Sequence, residues 1–277
     1  MPKSWFLRVG LVVGLLFLYI PIILLVILSF NDNRSVSVWS EFSFRWYGEL
    51  MRDRQLLSAA WLSVQVAFIS ASVAVVLGTL AGMMLARFGS FKGRALFSGM
   101  VSAPLVMPEV ILGLSLLLLF VSMEQMFGWP AGRGMLTIIL AHITFTMSFV
   151  TVVVQSRLVS MDASLEEAAM DLGARPAKVF FVITLPLIAP AIVSGWLLAF
   201  TLSLDDLVVA SFVSGPGSTT LPQIVFSSVR LGLSPKVNAL ATIVVGIVAV
   251  GIICAGIYHA RQEKARKRDE QMAQQGG

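Results

Sequence analysis

The 277-residue sequence predicts an all-α integral membrane protein that crosses the bilayer six times. Three observations carry that expectation. Hydrophobic residues make up 57% of the chain and charged ones only 13%, against about a quarter charged in a soluble domain. The mean hydropathy is +0.88. The apolar residues gather in six blocks, roughly 9–30, 61–86, 97–122, 135–156, 190–212 and 239–260. Each block is long enough to cross about 30 Å of hydrocarbon as a helix. An ordinary soluble enzyme is excluded, and little length remains for a separate soluble domain.

The first block follows Lys3 and Arg8, runs about 22 residues through Pro21 and ends at Ser29-Phe30-Asn31 without a small-residue cleavage pattern. It reads as a retained helix rather than a secretory signal. The second block is almost free of charge. In the third, Pro108 removes a backbone donor and loosens the helix just before Glu109. The fourth carries His142, at a depth similar to the acids of the fifth, where a satisfied interhelical histidine is the simpler reading and an Asp partner or proton relay the other. The fifth holds Asp205 and Asp206, and Pro186 and Pro190 are expected to break the path into it. The sixth holds Cys254, the single cysteine, so neither an intramolecular disulfide nor a cysteine-rich metal site is available.

Charge bias sets the orientation. The N-terminus, the 87–96 loop, the 157–189 loop and the tail hold 13 of the 20 Lys and Arg, and the alternate segments hold 7. The first set, with both termini, is therefore expected in the cytoplasm. Trp39, Trp46, Tyr47 and Trp129 suit an aromatic belt at the outer interface. The basic tail from Arg261 to Arg268 reads as membrane-surface attraction, and nothing points to nucleic acid. The outer loop from Ser214 to Pro235, with Gly215, Pro216, Gly217 and Pro222, implies a tight, partly buried turn.

Three carboxylates in apolar spans call for compensation, because each costs about 2.5–3.5 kcal/mol at a helix centre. Glu109, Asp205 and Asp206 are candidate stations on a cation path. Adjacent acids on a helix point about 100° apart, so one of Asp205 and Asp206 faces the path and the other bonds to a neighbouring helix. Interhelical hydrogen bonds or ion pairs with a partner subunit are the structural alternative. Trp196, Phe200 and Phe145 read as packing or lipid-facing aromatics, with cation–π contact the functional alternative.

The segment Met161 to Pro190 is polar and locally regular. Ser164 followed by Glu167 has capping-box spacing, Gly173 suits a left-handed helix end, and Pro176 suits the first turn of a second short helix. Two short helices meeting near Gly173 are predicted, and by itself such a bracket is a surface connector.

Glu167-Ala168-Ala169, three residues, Gly173, nine residues, Ile183, one residue and Leu185-Pro186 resemble the EAA loop of ATP-binding-cassette importer permeases. That resemblance implies the type I (MetI-like) permease fold over roughly 60 to 260, with a first helix added in front. It also implies that Glu167, Ala168, Ala169 and Gly173 couple to a cytoplasmic ATPase. The implied organisation is an N-terminal helix and periplasmic loop at 1–60, a core at 61–260 with the coupling loop at 161–186, and a cytoplasmic tail at 261–277. The stretches Ala103 to Glu109, Leu202 to Leu207 and Ser211 to Gly217 are similar to those of putrescine and spermidine importer permeases. The implied assembly, in a bacterial inner membrane, has a second homologous permease, two ATP-binding subunits and a periplasmic polyamine-binding protein received by the loops at 31–60 and 213–238.

The chain carries no phosphate-cradling Gly-rich loop with a following Lys and Ser/Thr, and no H-E-x-x-H. His142 and His259 lack the companions of a zinc site. No cofactor and no enzymatic activity of its own are expected, so energy comes from a partner or a gradient. The residues alone leave open a proton-driven cation carrier using Glu109, Asp205 and His142, or an importer permease for another small solute.

Overall fold

The structure is a computed structural model that describes residues 3–34, 38–231, 235–251 and 253. The basic tail, Cys254, His259 and the end of the sixth block lie outside the described residues. In chain order the helices are α1 (Lys3–Leu28), α2 (Arg45–Arg52), α3 (Arg54–Arg87), α4 (Arg94–Val106), α5 (Glu109–Phe127), α6 (Met135–Ser160), α7 (Ser164–Asp171), α8 (Pro176–Val179), α9 (Leu185–Leu204), α10 (Val208–Val213), α11 (Leu221–Leu231) and α12 (Pro235–Gly251). A π-helical turn at Phe180–Thr184 joins α8 to α9.

Among the described residues five helical stretches are long and apolar enough to cross a membrane, and α4 and α12 are shorter apolar helices. The predicted third span is therefore not one helix. Met107, preceding a proline, is driven into the extended region at φ −72°, ψ 135°. Pro108 adopts φ −57°, ψ 134°, and the chain restarts as α5 at Glu109. Six is an approximate count, since this block holds two helices and the last is described only in part.

The fifth span also differs. Pro186 and Pro190 do not break it, because Pro186 sits in the first turn of α9, and Pro176–Leu204 forms one 29-residue apolar stretch. The π turn, in which the Leu185 N–H reaches back five residues to the Phe180 carbonyl, accommodates the missing Pro186 donor. The span ends at Leu204, before the two acids.

The chain divides into two compact units. In the unit formed by 1–54 and 227–277, α1 leads into a cluster of Phe30, Phe42, Phe44 and Tyr47, with Phe30 and Phe42 stacked at 5.2 Å. Trp46 is buried and donates its indole N–H to the Asn31 carbonyl at 2.6 Å, so it serves a core rather than the expected interfacial belt. Lys236 lies 3.3 Å from Asp53 and 3.8 Å from Glu49.

The unit 55–226 holds the helices of interest. Along α3 a stripe of small buried residues, Ala59, Ser63, Ala67, Ala71, Ala74, Gly78 and Gly82, recurs at helical spacing and admits close packing. Val150 of α6 is fully buried beside two glycines: a Cβ at Gly78 would stand 2.8 Å from Val150 Cβ, and one at Gly195 of α9 would stand 3.3 Å from its Cγ1. Around it pack Ala71, Val154, Leu158, Ile188 and Ala199. A second cluster joins Val66, Leu112, Leu116, Phe120, Ile138, Val209 and Val213 from α3, α5, α6 and α10. It packs α5 against α10, the segments that follow the two breaks, so that the breaks can line one cavity.

Candidate functional site

Breaks in apolar helices leave backbone groups unpaired and make room for polar side chains, tolerated at membrane depth where they line a cavity. Both breaks do so here. A cavity of about 360 Å³ is lined by Pro104, Met107 and Glu109 at one break, by Leu202, Asp205, Asp206 and Leu207 at the other, and by Phe145 and Phe149 of α6. That volume is at the small end of sites for small molecules, about 300–1,000 Å³.

The three acids are thus brought to one cavity but differ in their bonding. The Asp206 carboxylate accepts from the N–H of Ala210 at 2.7 Å and of Val209 at 3.3 Å, satisfying the start of α10. It also lies 3.2 Å from His142 Nε2, the two side chains being 6% and 1% exposed. His142 Nδ1 is 2.6 Å from Ser203 Oγ, and its ring packs edge-on against Phe145 at 5.4 Å. Asp206 is therefore committed to the protein. Asp205 and Glu109 are exposed on the cavity wall. Two carboxylates with two aromatic faces form a surface that attracts cations and repels anions. Phe149 was not singled out in the sequence, where it is one of 18 phenylalanines. Trp196 and Phe200 stack on each other at 5.2 Å, and Trp196 donates to Ser72 Oγ at 3.2 Å; neither lines the cavity.

The other predicted residues lie together on the bracket formed by α7 and α8. No capping box forms: α7 starts at Ser164, and its N-terminal N–H is accepted by Asp162 Oδ1 at 3.0 Å. Bonds from the Ser164 backbone and hydroxyl hold the Asp162 carboxyl below its usual range. Gly173 has φ +85°, its N–H reaches Met170 O at 2.8 Å, and Ala174 N–H reaches Ala169 O at 3.1 Å. Both bonds of a Schellman end are present, which is why the turn uses glycine. Pro176 opens α8 as expected.

Glu167, Ala168 and Gly173 are exposed, as are Leu165 and Met170. Leu172 is 90% exposed. Ala169, Leu172, Gly173, Ala174, Arg175 and Lys178 line a hollow of about 520 Å³. Glu166, which the sequence reading passed over, turns the other way: its carboxylate lies 3.0 Å from Arg87 Nε and accepts from Thr184 Oγ1 at 2.8 Å. Only the acidic character of 166 and the basic end of α3 hinted at such a pair.

Among solved structures, a bacterial ABC transporter involved in import of the acidic polysaccharide alginate matches with TM-score 0.69 and 17% identity, over 92% of this chain and 95% of that one. An inward-facing MetNI methionine ABC transporter matches with TM-score 0.59 and 20% identity, over 74% and 94%. These likenesses establish the fold. In sequence, the chain is 60% identical over 266 residues to the putrescine transport system permease protein PotI of Escherichia coli (strain K12), covering 96% of this chain and 95% of the relative. It is 44% identical to the spermidine/putrescine transport system permease protein PotC of Haemophilus influenzae, over 83% and 86%. Residues 78–268 match the family described as the inner membrane component of binding-protein-dependent transport systems. Helix breaks around an acidic cavity, an exposed bracket and these matches converge: the chain is a multi-pass inner-membrane permease belonging to that family.

Proposed function

We propose that this permease carries polyamines, putrescine foremost, inward through the cavity between the two helix breaks. The observation that carries the reading is the pair of uncommitted carboxylates, Glu109 and Asp205, on one cavity wall with Phe145 and Phe149. A flexible molecule with an ammonium group at each end needs two acidic stations and apolar or aromatic surface between them. Each ammonium exchanges water for a charge-assisted hydrogen bond, and its methylene stem packs on the rings.

The termini and the α7–α8 bracket face the cytoplasm, as the distribution of basic residues favours. Glu167, Ala168, Ala169 and Gly173 form the docking surface for an ATP-binding subunit, with small side chains allowing close approach and the 161–186 segment acting as the coupling element of the 61–260 core. A second, homologous permease completes the translocation path, and two ATP-binding subunits drive it. A periplasmic binding protein delivers the polyamine to the outer loops at 31–60 and 213–238. ATP binding closes the ATPases, the bracket carries that movement into the helices, and the cavity alternates between the two sides.

The test is uptake of labelled putrescine by cells whose other polyamine importers are deleted, with membrane levels of the complex measured in parallel. Glu109→Gln and Asp205→Asn should each raise the KM for uptake while assembly persists. Normal uptake kinetics in both variants would refute the carboxylate path.

A further inference from the structure

We infer that Glu166 is a positioning residue that ties the bracket to two membrane helices at once, so that bracket movement reaches α3 and α9 without slack. The inference rests on the coupling reading above. Glu166 stands in the first turn of α7, beside the motif's own Glu167, but its side chain is directed inward while Glu167 remains exposed.

The two oxygens of its carboxylate are divided between two elements. Oε2 lies 3.0 Å from Nε of Arg87, the last residue of α3. Oε1 accepts from Thr184 Oγ1 at 2.8 Å, in the π turn that leads directly into α9. The pair is not a solvated surface contact: the Arg87 and Glu166 side chains are 20% and 14% exposed, and Thr184 is buried. A fully exposed pair contributes little and holds no geometry. A largely buried carboxylate that also accepts from a hydroxyl is fixed in direction, because swinging away would leave a desolvated guanidinium without its acid.

The anchors are themselves held. Beyond Arg87 the chain turns back through 88–93, and the Arg94 guanidinium donates to the carbonyls of Gly89 and, at 2.8 Å, Leu85, closing the end of α3. Among the described residues the Arg87–Glu166 contact is the one ion pair that reaches the bracket. Its neighbours along the chain, the Asp162 turn and the left-handed Gly173, are bends that would absorb a displacement passed only through the backbone. The side-chain tie bypasses both bends.

The experiment uses the complete transporter in proteoliposomes with its binding protein, reading putrescine transported per ATP hydrolysed and ATPase co-purification. Glu166→Gln discharges the contact with Arg87 while keeping an acceptor for Thr184. It should leave the ATPase bound and hydrolysing while transport per ATP falls at least fivefold, and Thr184→Val should lower the ratio by less. Arg87→Glu alone should uncouple, and adding Glu166→Arg should recover much of the ratio, a rescue that a merely structural role would not give. Gly173→Trp is the docking control and should release the ATPase. If Gly173→Trp keeps wild-type uptake and co-purification, the coupling reading itself falls. If Gly173→Trp disrupts docking but Glu166→Gln keeps the wild-type ratio, or the reversed pair assembles without recovery, the tie is overturned and the coupling reading stands. Should Glu166→Gln not assemble, the ratio is read on Thr184→Val, where a wild-type value overturns the inference.

Discussion

Asp205 and Asp206 are chemically identical neighbours with opposite commitments. The Asp206 carboxylate is bonded by two backbone N–H groups and lies against His142, whereas Asp205 is exposed on the cavity wall. Substitution should separate them cleanly. Asp206→Ala removes the acceptor at the start of α10 and should cost about 1 kcal/mol as a lost cap, with more from the His142 left beside it. That loss is read as a lower unfolding temperature of the purified transporter. Asp205→Ala should leave that temperature near wild type and raise the KM for putrescine about tenfold or more, the loss of one charge-assisted hydrogen bond of about 1.5–3 kcal/mol. Different surroundings for the two acids were expected from a 100° separation on a helix, but both lie past the end of α9, and which of them bonds inward depends on His142, some 60 residues away in the chain. Glu166 was missed for the same reason, since its partners Arg87 and Thr184 meet it only through folding.

At the scale of elements, apolar length located the five spans seen among the described residues but not every break or end. Pro108 ended its helix because Met107, the residue before it, was forced to the extended region, whereas Pro186 was absorbed by a wide turn. Both are prolines in apolar runs, and only the surrounding turn geometry distinguishes them. The Gly173 end was legible because a left-handed residue leaves a strong compositional mark, and the expected Ser164–Glu167 box gave way to Asp162, a better acceptor that stands two residues earlier. Asp162 also sets a pH dependence. Its carboxyl is held below the usual range by Ser164, so its support for α7 is complete above that range and is lost as pH falls through the lowered value. Hydrogen exchange at Ser164–Glu167 should quicken relative to Asp162→Asn on acidification and not near neutrality. Packing gives a further expectation. Gly78→Ala places a methyl 2.8 Å from Val150 Cβ and should destabilise the α3–α6 pair by about 1–3 kcal/mol, read as earlier thermal aggregation in detergent.

For the molecule as a whole, membership of a family whose relatives are permease subunits of ABC importers implies an ATPase partner as the source of energy. Collapsing the proton gradient while ATP is maintained should therefore leave putrescine uptake running, and depleting ATP at a preserved gradient should stop it. The reverse outcome would make the intramembrane acids a proton-driven engine. Exposed apolar faces, including Val106 and Leu118 and nearly all of α1, match a chain surrounded by lipid rather than water. Hydropathy made that surface legible from composition alone.

The π turn at Phe180–Thr184 sets the rotational phase between bracket and membrane helix. Each helical residue advances the chain by about 100° and 1.5 Å. Deleting one residue from this turn would leave α9 packed on Val150 of α6 through Gly195 yet swivel α7 and α8 by roughly a quarter-turn about its axis. Glu166 would then face away from Arg87, and the exposed ridge at Leu172 would point in a new direction. A gearwheel set one tooth out of mesh still turns, but it drives nothing.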